Sequence, residues 1–447
     1  MSARRWAIGS TVIVVALAWV VTARGSSEDV PAERGRKALT GRSFIGPEWS
    51  ESAYAKAGSV WGVEAPDPER SPSEYASAFA RRYGLHPAPY PNGDLPMGLR
   101  KATKRDGSKT GLQIDCMACH GGSIGGTSYV GLGNTQLDLK ALLTEMTRAD
   151  GRIPIPSVFT LNSSRGTVNA GQVDVVLLSL RNADLSWRRF PLFTGASLPE
   201  LDVPAWWILG KKATKYYDGR TDARSARSNM QFMLGELSLK QFQDLEPTFQ
   251  DIDAYLKSLK PPKYPFPIDH EKSGRGEVVF KQNCVRCHGT YGPDAKYPSK
   301  IVPLDLIGTD PARSRGMSDA FVAHYNSTWF ADHKVSDEVI GYQAPPLDGI
   351  WATAPYLHNG SVPTLHAMLK SADRPARFLR PDSTSFENYD QESVGWKAEP
   401  FDAANPPKDV KRVFDSSRWG LSNKGHTFGD KLTDKQRADL IEYLKTL

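Results

Sequence analysis

The chain has 447 residues, 40% of them hydrophobic and 24% charged, with a formal net charge of +6. That length admits two or three domains with cores of their own, and the composition is that of an ordinary globular protein. No basic, aromatic-interleaved patch marks a nucleic-acid binder, and the mild positive charge suits steering toward an acidic redox partner.

At the N-terminus, Arg4 and Arg5 precede an apolar run over 7–21, and a polar stretch opens at Arg24. This is the layout of a signal peptide or an uncleaved membrane anchor over residues 1–24. The run is short for a full span, and Val21-Thr22-Ala23 is an acceptable cleavage site, so both forms stay open. Either way the body is expected to be exported, to the periplasm or beyond. No other apolar run is long enough to cross a bilayer.

Residues 25–110, rich in proline, glycine and charge, read as an N-terminal extension wrapped on the domain that follows. Tyr75, Phe79 and Tyr83, at spacing four, predict a helix over 73–83. His86 and Met97 carry side chains able to bind iron, but both sit among prolines and are expected to be loop residues.

The first domain, 111–260, carries Cys116-Met117-Ala118-Cys119-His120. The pattern returns as Cys284-Val285-Arg286-Cys287-His288, and the two copies use all 4 cysteines of the chain. On a helix, cysteines three apart share a face, where their thiols can add to the two vinyl groups of one porphyrin. The histidine that follows lies on the same face and reaches the iron. A zinc site or two disulfides are the plainer readings, but a zinc site does not ask for a histidine directly after both pairs. The expectation is two covalently bound haem c groups, and attachment outside the cytoplasmic membrane agrees with export.

Beyond His120, Gly121-Gly122 and Gly125-Gly126 let backbone pass close to a porphyrin edge. A helix is expected over 137–146, and the apolar run 173–180 reads equally as buried strand or helix. Four prolines between Lys260 and Pro267 mark a linker over 261–271. The second domain, 272–447, opens with Phe280 on the helical face that leads into Cys284. It closes with Tyr443, Leu444 and Leu447, which repeat the spacing of Tyr255, Leu256 and Leu259 at the end of the first. The expected fold is therefore mainly α: two tandem cytochrome-c-like haem domains with long loops and an N-terminal extension, related by internal duplication.

Each haem iron has a second axial position, and its occupant decides between electron transfer and chemistry. Between His120 and His270 there is no histidine. Met146, Met230 and Met233 are candidate thioether ligands, but methionine at helical spacing is more often core filler. The first iron is thus expected to be five-coordinate or water-bound, open to peroxide or dioxygen. For the second, His426 leads, in the glycine-flanked loop Gly425-His426-Thr427-Phe428-Gly429. His358 is its rival and Met368 the third choice, with His270, His324, His333 and His366 read as exposed or structurally satisfied.

These motifs resemble the bacterial dihaem cytochrome c peroxidases and their relatives, the methylamine-dehydrogenase-maturing dihaem enzyme and the dihaem rubber oxygenases, over roughly residues 110–447. Tyr216-Tyr217-Asp218-Gly219-Arg220 is similar to the family's Phe-Trp-Asp-Gly-Arg, whose tryptophan lies between the haems. Ala354-Pro355-Tyr356-Leu357-His358-Asn359-Gly360 is similar to its Ala-Pro-Tyr-Phe-His-Asp-Gly. The Gly425–Gly429 loop looks most like the rubber-oxygenase branch, where a C-terminal histidine binds the second haem and the first haem is open. The resemblance implies Tyr217 as the relay, with a hop coupled to proton loss because a phenol replaces the indole. It also implies a distal residue: Glu236, nineteen residues past Tyr217, as proton carrier, or Phe232 as the aromatic wall of the oxygenase branch. The distal histidine that the peroxidases carry soon after the first motif is missing, so their reductive switch does not carry over, nor does the polymer substrate of the longer rubber oxygenases. Arg165 and Asn169 are expected to face haem propionates, and Trp206-Trp207 to flank a haem or to pack in a core.

The sequence thus reads as an exported haem oxidoreductase, peroxidase-like or dioxygenase-like, with a small cytochrome, cupredoxin or dehydrogenase as partner. A non-catalytic dihaem electron carrier is the competing reading.

Overall fold

The computed structural model describes residues 30–155, 164–335, 340–401, 404 and 406–447; the apolar run at 7–21, and with it the choice between signal peptide and anchor, lies outside them. Among the described residues no helix is long and apolar enough to cross a membrane. Helix makes up 39% and strand 13%, the strands forming separate ribbons of two or three. The expectation of a mainly α chain is corrected to a helix-rich mixed fold.

The strand content comes from turn chemistry. β1 (Leu99–Thr103) and β2 (Thr110–Ile114) pair antiparallel and deliver the chain to Cys116. After His120, β3 (Gly121–Ile124) and β4 (Thr127–Val130) pair around Gly125 at φ +60° and Gly126 at φ +78°. Two positive φ values in a two-residue loop give the hairpin turn whose twist matches its strands. Glycines read as porphyrin-edge spacers therefore also close a hairpin.

Two helix pairs organise the rest. α1 (Pro31–Gly41) packs on the long helix over Leu239–Ser258, and the helix over His270–Asn283 packs on the C-terminal helix over Asp434–Leu444. In chain order between the members of the first pair come α2 (Pro72–Tyr83), α3 (Leu139–Ala149) and α4 (Ala170–Ser179), so the long helix is α5, the helix before Cys284 is α6 and the last is α7. The run at 173–180 is thereby helical.

The two crossings share one construction. A Cβ at Gly35 would fall 2.0 Å from the Asp251 carbonyl oxygen, and a Cβ at Gly276 would fall 1.9 Å from that of Asp439. Only glycine admits such approach. Beside each glycine an arginine makes a two-pronged ion pair with the same aspartate: Arg34 to Asp251 at 2.7 and 2.8 Å, Arg275 to Asp439 at 2.8 and 2.9 Å. Four residues on, Leu39 and Phe280 are buried. α1 lies within the stretch read as extension, yet it stands to α5 as α6 stands to α7.

The remainder of the extension has its own aromatic core. Tyr75, Phe79 and Tyr83 on α2 pack with Trp49 and Trp61, and Met146 of α3 is buried among them; Trp61 Nε1 donates to the Tyr83 hydroxyl at 2.9 Å.

Candidate haem sites

Cys116, Cys119 and His120 flank and form the helical turn Met117–His120, held by the hydrogen bond from His120 N to the Cys116 carbonyl at 2.9 Å. Both cysteines are free thiols, and with His120 they line a cavity of about 1280 Å³. That exceeds the roughly 300–1,000 Å³ of ordinary ligand pockets. Burial, with Asp115 adding to it, pushes both thiols up to about 12. Burial pushes the His120 imidazole down to about 4, against the Pro204 carbonyl, so the ring is neutral at pH 7 and keeps a lone pair for a metal. The indole of Trp206 stacks on it, centroids 4.4 Å apart at 20°. Paired thiols, a neutral imidazole and a large cavity fit a covalently held haem.

Among the described residues the cavity is lined by no histidine except His120 and no methionine except Met317. Met230 and Met233 are buried in the apolar cluster around α5, and Met146 is in the aromatic core beneath α2. Phe232 and Glu236 both line the cavity. Phe232 packs on Phe249, centroids 6.4 Å apart. The Glu236 carboxylate accepts from the Gly46 N–H at 2.8 and 3.1 Å, which ties it at the rim.

Asn169 lines the cavity, but Arg165 does not. Its guanidinium is committed elsewhere, to Asp409, to the Gln136 carbonyl at 3.2 Å and to the Arg82 carbonyl at 2.7 Å. The propionate assignment of Arg165 is corrected accordingly. The buried guanidinium groups lining the cavity belong to Arg220 and Arg313, each with an Nε that makes no hydrogen bond. Arg220 closes the Tyr216–Arg220 segment and was legible there; Arg313 stands in no pattern. Asp174 also lines the cavity, its carboxyl pushed up to about 7 by burial and partly restrained by Arg313.

Read as loop residues, His86 and Met97 are in fact buried. His86 Nε2 meets Asn134 Oδ1 at 3.2 Å, while the Asn134 amide donates to the Ala118 carbonyl at 3.0 Å. They brace the first motif, and neither lines the cavity.

In the second motif, α6 runs into the turn Val285–His288. His288 Nδ1 donates to the Pro345 carbonyl at 2.8 Å, which leaves Nε2 for a ligand. His426 has φ +47°, a region that few non-glycine residues occupy and that local contacts must hold. Its N–H donates to the Ile307 carbonyl at 2.6 Å. The His288 and His426 ring centroids are 6.2 Å apart at 60°. Burial, then His288, pushes His426 down to about 3, and its Nδ1 is buried without a hydrogen bond. The thiols of Cys284 and Cys287 are free.

His358 stacks instead on Tyr342, 4.1 Å away at 19°. His324 Nε2 donates to the Leu178 carbonyl at 3.1 Å, and His366 pairs with Asp373 at 3.0 Å. His333 faces Asp222 at 4.0 Å, and His270 opens α6. Met368 packs against the apolar cluster that Cys284 also touches.

Tyr217 lies between the motifs: it lines the first cavity and packs against the small cluster that holds Cys287. Tyr216, at φ +63°, donates its hydroxyl to the Ser228 carbonyl at 3.2 Å, while that of Tyr217 goes to the Asp202 carbonyl at 3.2 Å.

Residues 341–379 match the family described as RoxA-like, cytochrome c-like. In Sinorhizobium fredii, the uncharacterized protein y4iM is 29% identical over 304 residues, 57% of this chain and 68% of its own length. A second protein of that organism, the uncharacterized y4iJ, is 28% identical over 258 residues, 42% of this chain; the match spans only 41% of y4iJ. A crystal structure of a MauG-like protein associated with microbial copper homeostasis aligns with a TM-score of 0.30 and 16% identity, over 62% of this chain and 87% of that one. The chain is thus similar, over the segment whose Pro345 orients His288, to a RoxA-like, cytochrome c-like family, and it carries two Cys-x-x-Cys-His motifs beside that segment.

Proposed function

We propose that the protein is an exported dihaem oxidoreductase. The first haem, on Cys116, Cys119 and His120, reacts with peroxide or dioxygen; the second, on Cys284, Cys287, His288 and His426, relays electrons from a small redox protein. One contrast carries this reading: the described lining of the His120 cavity offers no second histidine, whereas His288 has His426 at 6.2 Å. A haem held on Cys284 and Cys287 would have both His288 and His426 within reach as iron ligands, since their rings lie at that separation. The repeated glycine crossing of α1 on α5 and α6 on α7 supports two cytochrome-like units.

A haem on the first motif supplies redox chemistry toward small oxygen compounds. The chain supplies the surroundings. Phe232, with Val173 and Leu177 of α4, keeps the cavity wall apolar. Glu236 holds a carboxylate at the rim, where it can take or give a proton. Arg220, Arg313 and Asn169 offer donors for the haem carboxylates. Tyr217 stands between the sites with its hydroxyl on a carbonyl, and burial holds its pKa well above the ordinary tyrosine value, which makes proton loss on oxidation costly.

Carbon monoxide tests the reading. The ferrous protein is expected to bind it at one of two haems, and the resting protein to show one high-spin and one low-spin EPR signal. Two low-spin signals and no carbon monoxide binding would reduce the protein to an electron carrier, with Met317 or another donor on the first iron.

A further inference from the structure

Resting on the dihaem reading, we propose that Trp206 and Trp207 form a second electron path, joining the two sites through their proximal histidines. The indole of Trp206 lies nearly flat on the His120 imidazole, 4.4 Å away at 20°, within stacking distance. Its placement is fixed by backbone: Trp206 N–H donates to the Gly131 carbonyl, and Gly131 N–H to the His120 carbonyl, each at 2.7 Å. Trp206 belongs to the apolar cluster touched by Cys116, and Trp207 to the one touched by Cys284. Adjacent residues thus reach into both halves.

From Trp207 the connection continues. Its Nε1–H donates to the Asp348 carbonyl at 2.8 Å. Three residues back, the Pro345 carbonyl accepts from His288 Nδ1 at 2.8 Å. Between them Leu347 N–H donates to the Tyr291 hydroxyl at 2.6 Å, and that hydroxyl donates to the His288 carbonyl at 3.4 Å. From His120 to His288, every gap on this route is a stacked ring, a covalent bond or a hydrogen bond. Tyr217 takes no part in it.

Each passage moves one electron and no atom. Trp206 gives an electron toward the His120 site and regains one from the His288 side. Trp207 Nε1–H stays on the indole, hydrogen-bonded to the Asp348 carbonyl, and an indole can pass an electron as a radical cation that keeps its proton, whereas a phenol gives its proton up on oxidation. Reduction of one hydrogen peroxide to two waters takes two protons, which solvent supplies, and two electrons. The first electron comes from the ferrous second haem, the second from a reduced small redox protein.

The test mixes hydrogen peroxide with the two-haem protein, its second haem reduced, and follows the ferrous band of that haem by stopped flow. Freeze-quench EPR on ring-deuterated tryptophan protein identifies an indole radical. Trp206→Phe keeps a ring on His120; haem content and carbon monoxide binding confirm that both sites are intact. The path predicts roughly tenfold slower oxidation of the second haem in Trp206→Phe, equivalent to a barrier about 1.4 kcal/mol higher, with loss of the indole signal. Trp207→Phe is expected to slow the same step, and Tyr217→Phe to leave the indole signal in place. Unchanged rate and signal in an intact Trp206→Phe protein overturn the path and leave the dihaem reading standing. A wild-type protein with fewer than two haems overturns that reading instead.

Discussion

At the scale of single residues, His426 is where the assignment of roles is most exposed to test. A non-glycine residue at φ +47° is held there by its neighbours, at a cost of order 1–3 kcal/mol, and what it achieves is to aim an imidazole at His288. His426→Ala is expected to convert the second haem from low to high spin, to create a second carbon monoxide site, and to be reversed by added imidazole; an unchanged visible spectrum would sink the ligation. Both Cys-x-x-Cys-His motifs stand out by spacing alone, and flanking glycines single out His426, which the structure sets 6.2 Å from His288. Arg165 was misread because its partner, Asp409, lies 244 residues away in the chain, and no local pattern shows that the guanidinium is already engaged. The same blindness hid Arg313, and it hid the burial of His86 and Met97, which only the fold of the extension brings beneath the motif.

Among the elements, the glycine crossings make the sharpest claim. An alanine in a helix normally gains about 1 kcal/mol over glycine. At Gly276 the new methyl would land 1.9 Å from the Asp439 carbonyl oxygen, and overpacking of that kind costs about 1–3 kcal/mol or more. Gly276→Ala is therefore expected to lower the denaturation midpoint despite its better propensity, and Gly35→Ala to do so by a similar amount. A gain in stability at either site would mean that the two helices do not cross as described. The helices legible in the sequence were those with a clear apolar period: α2, α3, the end of α5, α6 and α7. The stretch 173–180, with six apolar residues in eight, left α4 ambiguous because it satisfies strand and helix alike. The pairing of α1 went unread since Pro31–Gly41 is mostly charged and small, with Leu39 its one large buried side chain. The ribbons were unreadable for another reason: several are only two residues long, too short to show alternation.

In the whole molecule, the two halves share apolar clusters with buried polar groups set beside them, and Asp202 is the most consequential of those groups. Its N–H donates to the His358 carbonyl at 3.0 Å, its carbonyl accepts from Tyr217, and its carboxyl faces the Arg380 guanidinium. Burial nevertheless pushes the carboxyl up to about 8, with Arg380 pulling it only part of the way back. The unfolded chain ionises this group near pH 4. Between about pH 4 and pH 8 the unfolded state sheds a proton that the folded state keeps, so stability from this group is greatest below the unfolded value and declines as pH rises through that window. Asp202→Asn keeps the shape and removes the titration. Its melting temperature is expected to gain on that of wild type by about 4 °C between pH 5 and pH 8.5, since about three pH units of linkage are worth about 4 kcal/mol and a chain of this size moves about 1 °C per kcal/mol. If the pH dependence of the two proteins is the same, the Asp202 carboxyl is ionised in the folded state, and the junction holds together as an Asp202–Arg380 ion pair.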